Sequence, residues 1–393
     1  MDMNQAFVAG NTYTFTVTNP SNIKDTALSQ NTLDTAWASV VYQYAVGVVT
    51  FTSPAAIASG DTTYENYDIT CDNTTLTIDG AHAFASLRLI NGCVLAHTAN
   101  PAAPLNLTVR THMSVDAASQ INLNGLGYLA ASGPTPGVTG LGTNEGTGAG
   151  HGGTGGLGQI SSGAGGSPTA DLIKQPVEFG SGGGGSGGSV NSGGKGGGAV
   201  KIVVSGGMTV NGIVSADGFI GGEYGDDGGG GGAGGSIWID TNSLSGSGVI
   251  RANGGDGKNG GAGDGGGGGG GRIAVHYSNS SYTGAYQAYG GEGTAAQDGG
   301  AGTVYLENKI TDLGRGNIVI DNISRNNAAE ASTWLDSVRL GGSGAAVDDL
   351  SVLGNAFVSF EDDNNYTYRN ISLDDGNLRF ADGAITVEQA VIL

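Results

Sequence analysis

Apolar residues alternate with polar or small residues in three segments that follow one another at nearly equal intervals. The segments open with KIVV (201–204), IWID (237–240) and RIAV (272–275), and each continues into a second short stretch that ends in SADG, RANG or QAYG. Alternation with a period of two is typical of β-strands that bury one face. The sequence therefore predicts two strands in each unit.

The units repeat with a period close to 36 residues. Ile202, Ile237 and Ile273 are 35 and then 36 residues apart, and TVYL (303–306) opens another strand. The flanking regions recur at a shorter interval near 22 residues, which is the separation of Cys71 from Cys93. Because one short pair of strands cannot bury its apolar face alone, repeats of this kind stack on one another.

This periodicity predicts an all-β fold, a parallel β-helix (solenoid) whose apolar side chains stack inward from coil to coil. The predicted order is an N-terminal β-rich module or cap, a first set of β-helix coils, a glycine-rich insertion, the 36-residue glycine-rich repeats and C-terminal β-helix coils. These segments span residues 1–68, 69–130, 131–198, 199–308 and 309–393, respectively.

Most of the 78 glycines lie between residues 125 and 302. Ordering a glycine costs more backbone entropy than ordering any other residue, so such runs are flexible linkers by default. Their similar lengths in consecutive units favour a different interpretation, in which they stack beside the β-helix as polyglycine II-like helices. Residues 228–235 and 265–271 are then expected to be rigid and in mutual contact, and mobile loops are the alternative.

The composition argues against several classes of protein. Only 13% of the residues are charged, and 35 acidic against 15 basic side chains give a net charge of −20. Such a chain offers no basic patch for nucleic-acid phosphates or an anionic membrane. It also has no apolar run of about 18 residues that would span a bilayer. The first residues lack a signal-peptide pattern, although the low Lys and Cys content favours an exported protein. The chain is then a segment of a longer exported protein, a protein exported by another route, or a virion protein.

The pattern GGSIWI…LSGSGVIRANGGDG…GGGGGGGRIAVHY resembles the glycine-rich repeats of very large bacterial cell-surface proteins, over about residues 105–306. Those repeats are predicted β-solenoids with adhesive or structural roles, so the resemblance implies an extracellular or cell-surface location. The glycine runs are also similar in composition to those of phage tail-tip adhesins built on a polyglycine sandwich. Neither resemblance implies a catalytic residue in this chain.

The sequence thus predicts a non-enzymatic extracellular protein, either a segment of a surface adhesin or a fibre subunit. The alternatives are a phage tail receptor-binding adhesin, a β-helix polysaccharide-active enzyme, and a filament subunit joined to the next copy by donor-strand contacts. Expected partners are a cell-surface glycan or protein receptor, or copies of the chain itself, without nucleic acid and without membrane insertion.

Candidate ligand-binding residues lie on the glycine loops and strands. Carboxylates on glycine loops suit Ca²⁺, the one candidate cofactor, although charges at loop tips also serve solubility. The calcium candidates are Asp226, Asp227, Asp256 and Asp264. Aromatic rings that stack on sugars, or that simply pack against glycine, are Tyr224, Trp238, Tyr282 and Tyr286.

The remaining candidates are the cysteines and histidines. The spacing of Cys71 and Cys93 places them on adjacent coils, where they form either a disulfide or a buried pair of thiols. The five histidines are scattered and occur in no HxH or HExxH motif, so no metal site is predicted from them.

Overall fold

The computed structural model describes residues 13–15, 40–42, 47–99, 102–160, 163–312, 314–325, 331–342, 347–380 and 384–392. In these ranges the chain is nearly all β, with a short helix α1 (Ser337–Leu340) and a 3₁₀ turn at Val190–Ser192. The first strands are β1 (Tyr13–Phe15), β2 (Val40–Tyr42), β3 (Val48–Phe51), β4 (Ala55–Ile57), β5 (Asp68–Asp72), β6 (Thr75–Ile78), β7 (Ala81–Phe84), β8 (Ser86–Ile90), β9 (Val94–Ala96), β10 (Leu105–Val109), β11 (His112–Val115), β12 (Gln120–Asn122), β13 (Ala199–Val210) and β14 (Ile213–Ser215). The later strands are β15 (Glu223–Tyr224), β16 (Asp227–Gly228), β17 (Ser236–Gly246), β18 (Val249–Arg251), β19 (Arg272–Tyr282), β20 (Ala285–Gln287), β21 (Thr303–Asn308), β22 (Asn317–Asp321), β23 (Thr333–Leu335), β24 (Val347–Leu353), β25 (Phe357–Phe360), β26 (Tyr366–Asp374), β27 (Asn377–Phe380) and β28 (Ile385–Ile392).

The three alternating segments are neighbouring parallel strands, as their period predicts. β13, β17 and β19 pair side by side in a fourteen-stranded sheet, and β21 follows them. Ile202 pairs with Ile239, whereas Ile237 pairs with Val200, so the equivalence of Ile202 with Ile237 expected from the sequence is wrong by two residues. A β-bulge after Val204 reduces the offset between β13 and β17 from 37 residues to 36. A shift of two residues leaves each side chain on its predicted face, because side chains alternate with a period of two.

A second parallel sheet packs against the first around a shared core. It contains seven strands, in the order β20, β18, β14, β12, β9, β6 and β4. Along the chain, β12, β14, β18 and β20 of this second sheet each come directly after a strand of the large sheet. Successive units therefore extend both sheets. Side chains from the two sheets form one apolar cluster, in which Ile202, Ile239, Val214 and Ile250 are fully buried. The alternation seen in the sequence therefore produces the core directly.

The two sheets begin earlier in the chain than the sequence predicts. β3 pairs in parallel with β5, and β4 pairs in parallel with β6. Residues 48–57 thus already belong to the sheets that the prediction starts at residue 69. The strands β1 and β2 form a separate antiparallel pair. Apart from these two strands, the part of the predicted N-terminal module before residue 47 lies outside the described residues.

The chain direction within the large sheet reverses at β22. β21 and β22 are antiparallel, whereas β22, β24, β26 and β28 are parallel to one another. β23, β25 and β27 form a three-stranded parallel sheet, and Leu350, Val352 and Val358 belong to a second buried cluster in this region. The sequence pattern does not predict this reversal, because parallel and antiparallel strands show the same alternation of buried and exposed residues.

The glycine-rich tracts are hydrogen-bonded to one another from backbone to backbone. Gly230 donates to the carbonyl of Gly184 at 2.8 Å, and Gly231 donates to that of Gly266 at 2.9 Å. In the next tract, Gly268 donates to Gly255 at 2.8 Å. We call the glycine-rich segments between β14 and β17, between β18 and β19 and between β20 and β21 the first, second and third excursions. The first two bonds join the first excursion to the insertion and to the second excursion, and the third bond lies within the second excursion.

The closeness of these backbones explains why the tracts consist of glycine. A Cβ added at Gly265, Gly268 or Gly271 would fall deep inside the van der Waals contact distance of a carbonyl oxygen in the 228–235 tract. The mutual packing of residues 228–235 and 265–271 agrees with the expectation from the sequence. Side chains are excluded here by neighbouring backbone atoms, which cannot rotate away as a side chain would.

We expect Gly268→Ala to lower the free energy of unfolding by about 3 kcal/mol, because its Cβ would meet the Gly232 backbone. The matched control is Gly261→Ala, in the same excursion, where the nearest atom to a new Cβ is 3.5 Å away on the Asp226 side chain. We expect the control to change the unfolding free energy by at most about 0.5 kcal/mol. Urea denaturation of both variants measures the difference, and equal stabilities would contradict the packed arrangement.

Candidate functional site

A ladder of side chains runs along the edge where the chain leaves the second sheet and enters each excursion. Asn124, Asp217, Asn253 and Tyr289 each lie two residues after a strand of that sheet, at the third position of SADG, RANG and QAYG in the repeats. The Asn124 side chain accepts the N–H of Asp217 at 2.7 Å, Asp217 accepts that of Asn253 at 2.8 Å, and Asn253 accepts that of Tyr289 at 2.9 Å. The bonds fix the spacing of successive units at this edge.

A polar cavity of about 280 Å³ opens beside the ladder. Hydrogen-bonding side chains of several kinds line it: the carboxylates of Asp217 and Asp256, the amide of Asn253, the phenol of Tyr289 and the guanidinium of Arg325. The backbone of residues 218 and 254–255, all glycine, forms part of the wall, together with Ile220. The cavity therefore offers both donors and acceptors around an aromatic ring.

A second cavity of about 140 Å³ shares Tyr289 with the first. Its walls are mainly apolar, and they include Tyr286, Val304, Leu306 and Val319. Tyr289 thus stands between a polar cavity and an apolar one. We call the two cavities together the Tyr289 groove.

Two ionisable groups that line the Tyr289 groove, the Asp217 carboxyl and the Tyr289 phenol, are affected by burial and by neighbouring groups. Burial raises the pKa of the Asp217 carboxyl above its ordinary value, against the opposing effects of the Asn253 N–H and the Arg251 guanidinium. Arg251 forms an ion pair with Asp217, with 2.7 Å between Nε and Oδ2. Burial also raises the pKa of the Tyr289 phenol, so this hydroxyl stays protonated and able to donate at neutral pH.

The four aromatic residues predicted from the sequence do not all meet at this groove. Tyr286 lines it and lies 5.2 Å, between ring centroids, from Tyr282. Trp238 lies in the large sheet, where the Lys201 Nζ is 3.9 Å from the centroid of the Trp238 ring. Tyr224 is 55% exposed in the short strand β15. Tyr289 belongs to the same group of aromatic residues in the glycine-rich half of the sequence. The sequence signal for Asp217 and Asn253 is the repeat position that they share with Tyr289.

Two of the four aspartates predicted as calcium ligands, Asp256 and Asp264, accept hydrogen bonds from loop backbones. Asp264 accepts the N–H groups of Gly260 and Ala295, and Asp256 accepts that of Glu292 at 2.7 Å. Across the ranges that the structure describes, the one group of three metal-binding side chains with ligand atoms within 4.8 Å of one another is His151, Asp171 and Glu178. It contains none of Asp226, Asp227, Asp256 or Asp264.

Cys71 and Cys93 form a disulfide, with their Cα atoms 5.7 Å apart. Both residues are fully buried in the apolar cluster between the two sheets. Cys71 lies in β5 and Cys93 comes directly before β9, so the bond joins one unit to the next. The two cysteines thus lie on adjacent units, as the sequence analysis expects. They are not at equivalent positions of a 22-residue repeat, because the two units are offset by 18–19 residues and Cys71 pairs with Leu89.

We expect the folding stability of the Asp217→Asn variant to increase relative to that of the wild type as the pH rises from 4 to 7. The raised folded-state pKa of Asp217 means that ionisation of this carboxyl costs folding free energy, and the cost appears as the pH rises through that value. Asparagine does not ionise, and Asn253 already holds the same position one unit later. Melting temperatures of both proteins at the two pH values test this. A melting temperature of the wild type that rises relative to that of the variant between pH 4 and pH 7 would contradict it.

Comparison with known proteins gives no relative: no family model, curated protein or solved structure matches this chain. Within the described ranges, no helix has the length and apolar character needed to cross a membrane.

Proposed function

We propose that this chain is a rigid, non-enzymatic extracellular module that holds a glycan-binding site, the Tyr289 groove, on a structural scaffold. The observation that carries the proposal is the lining of that groove. A tyrosine ring, an amide, two carboxylates and a guanidinium meet in one open cavity. Sugars present many hydroxyl groups that both donate and accept, together with apolar ring faces that stack on aromatic side chains.

The scaffold we propose is a parallel β-helix with polyglycine II-like excursions stacked along one side. Support comes from the two parallel sheets that share one core and from the backbone hydrogen bonds between glycine tracts. A stack of this kind holds the start of each excursion at a constant spacing. Binding groups that lie there are pre-organised, which lowers the entropy cost of binding.

An extracellular location is consistent with the disulfide and with the charge of the chain. Disulfides persist in oxidising compartments, and Cys71–Cys93 lies buried where reductants have poor access. The net charge of −20 keeps a glycine-rich surface soluble. The proposal agrees with the resemblance of the repeats to those of bacterial surface adhesins.

The enzymatic alternative is supported by one feature, the raised pKa of Asp217 in a groove that also contains Asp256. Paired carboxylates with separated pKa values are the usual means of cleaving glycosidic bonds. Both oxygens of Asp217 are already engaged, one by the Asn253 N–H and the other by Arg251. This arrangement favours a positioning role for Asp217, and therefore binding over catalysis.

We expect a glycan array to identify a ligand for the wild-type chain, and Tyr289→Ala to weaken its affinity about tenfold or more. Arg325→Gln changes another residue that lines the groove, so it tests the polar side without truncating a ring, and it should also weaken binding. The matched control is Tyr224→Ala, an exposed tyrosine outside the groove, which should bind as the wild type does.

Equal binding by all the variants, or no glycan ligand at all, would contradict the proposed function. Release of reducing ends from a bound polysaccharide, abolished by Asp217→Asn, would instead support the enzymatic alternative. A ligand that is bound but never cleaved separates adhesion from catalysis.

A further inference from the structure

A second cluster of polar side chains is buried between the glycine-rich insertion and the repeats. His151 and Asp171 belong to the insertion, and Ser236 begins β17. His151 and Ser236 are fully buried, and Asp171 is 6% exposed. Ligand atoms of His151, Asp171 and Glu178 lie within 4.8 Å of one another. The cluster lies on residues far apart in the sequence, which is why no motif marks it.

The hydrogen bonds around this cluster show which atoms face its centre with lone pairs. His151 Nδ1 lies 2.7 Å from the carbonyl oxygen of Gly234, so this nitrogen carries a hydrogen and donates it. In the neutral ring, Nε2 then bears a lone pair. The Ser236 hydroxyl lies 2.7 Å from the carbonyl oxygen of Glu178 and gives its only hydrogen to it. Its lone pairs are therefore also free to face the cluster.

Three acceptor atoms form a nearly equilateral triangle. His151 Nε2 is 3.5 Å from Asp171 Oδ2 and 3.5 Å from Ser236 Oγ, and the two oxygens are 3.3 Å apart. Ligands of a tetrahedral zinc ion, with bonds of 2.0–2.2 Å, are separated by about 3.3–3.6 Å. The triangle therefore has the dimensions of one face of such a site.

The other buried histidine–carboxylate pairs have a different geometry. His276 Nδ1 lies 2.9 Å from Glu307, and His82 Nδ1 lies 3.0 Å from Glu65. These are normal distances for a direct hydrogen bond. The wider spacing at His151 is too long for a strong bond of that kind and leaves room for an ion between the two groups.

Two further features suit the cluster to a cation. Glu178 Oε2 is buried and makes no hydrogen bond within the part of the chain that the structure describes, although burying an unpaired carboxylate oxygen is costly. Asp171 Oδ2 also accepts the backbone N–H groups of Val177 at 3.1 Å and Glu178 at 3.2 Å, and these bonds orient the carboxylate. The Arg272 guanidinium donates to the carbonyl oxygens of His151 and Asp171 and so holds both ligand backbones in place.

We propose that His151 Nε2, Asp171 Oδ2 and Glu178 Oε2 bind one divalent zinc ion, with Ser236 Oγ at the fourth position. Imidazole and carboxylate ligands suit zinc, and a histidine ligand commonly donates its second N–H to a backbone carbonyl, as His151 does to Gly234. The ion is structural, because His151 and Ser236 are fully buried and Asp171 is 6% exposed. It joins the insertion to Ser236, the first residue of β17. Binding then accompanies folding.

The competing occupant of the same position is a second proton on His151. Asp171 and Glu178 carry two negative charges against the single charge of Arg272, so a proton would neutralise the group. A protonated ring would have to share one hydrogen between two acceptors at 3.5 Å, which is poor geometry. Zinc would bind the lone pairs of His151 Nε2 and Ser236 Oγ and neutralise both carboxylates, and for that reason we favour it.

The test is the zinc content of the full chain, expressed with zinc, dialysed against EDTA and analysed by mass spectrometry. We expect about one zinc per wild-type chain, and a loss of about tenfold or more in His151→Gln and Glu178→Gln. The matched control His82→Gln removes another buried histidine paired with a glutamate and should retain the metal. X-ray absorption of the wild type, which needs no variant, should show four nitrogen or oxygen ligands with a single imidazole.

Three results would overturn the proposal. One is a wild type without stoichiometric zinc, even after refolding with the ion present. Another is zinc that both ligand variants retain, or that more than one imidazole binds, since it would then lie elsewhere. The last is an NMR spectrum in which both ring nitrogens of His151 carry hydrogens, which assigns the position to a proton.

Discussion

The direct contact of glycine backbones is the constraint on which the rest of this structure depends. Each tract hydrogen-bonds to neighbours in other tracts, and a Cβ at Gly268 or its equivalents would overlap a carbonyl oxygen. Ordering a residue costs about 1–2 kcal/mol, whereas a hydrogen bond contributes about 0.5–1.5 kcal/mol net. A single glycine strand therefore has no stability of its own. The tracts order together because each one supplies partners to several others and because the sheets hold their ends.

The sites follow from this arrangement. The ladder of Asn124, Asp217 and Asn253 lies where each unit passes from the second sheet into its excursion, and it ends at Tyr289. The Tyr289 groove is thus placed at the border between an apolar core and the glycine tracts. The His151 cluster lies at another border, between the insertion and the large sheet. In both places polar side chains lie where the packing of β-sheets gives way to the packing of glycine-rich segments.

The sequence predicts the repeating part of the fold well, because alternation and period are local properties. They predict parallel neighbours at β13, β17 and β19, and they place Cys71 and Cys93 on adjacent units, although those units are offset by 18–19 residues and not by 22. They do not predict the bulge in β13 or the reversal at β22, since neither changes the alternation. The His151 cluster escaped prediction for another reason. Its members are up to 85 residues apart, and contacts between glycine tracts carry no side-chain pattern that would reveal them.

The glycine tracts form one hydrogen-bonded, ordered body, and residue-resolved amide hydrogen exchange tests this arrangement most directly. The amides of Gly230, Gly231 and Gly291 donate to glycines of other glycine-rich segments, at Gly184, Gly266 and Gly268, respectively. Strand β17 supplies a reference for buried sheet amides in the same molecule. The structure predicts that these glycine amides exchange as slowly as those of β17, since opening them requires the tracts to separate. Exchange at the rate of an unstructured peptide, with β17 still protected, would contradict this arrangement and make the tracts mobile loops.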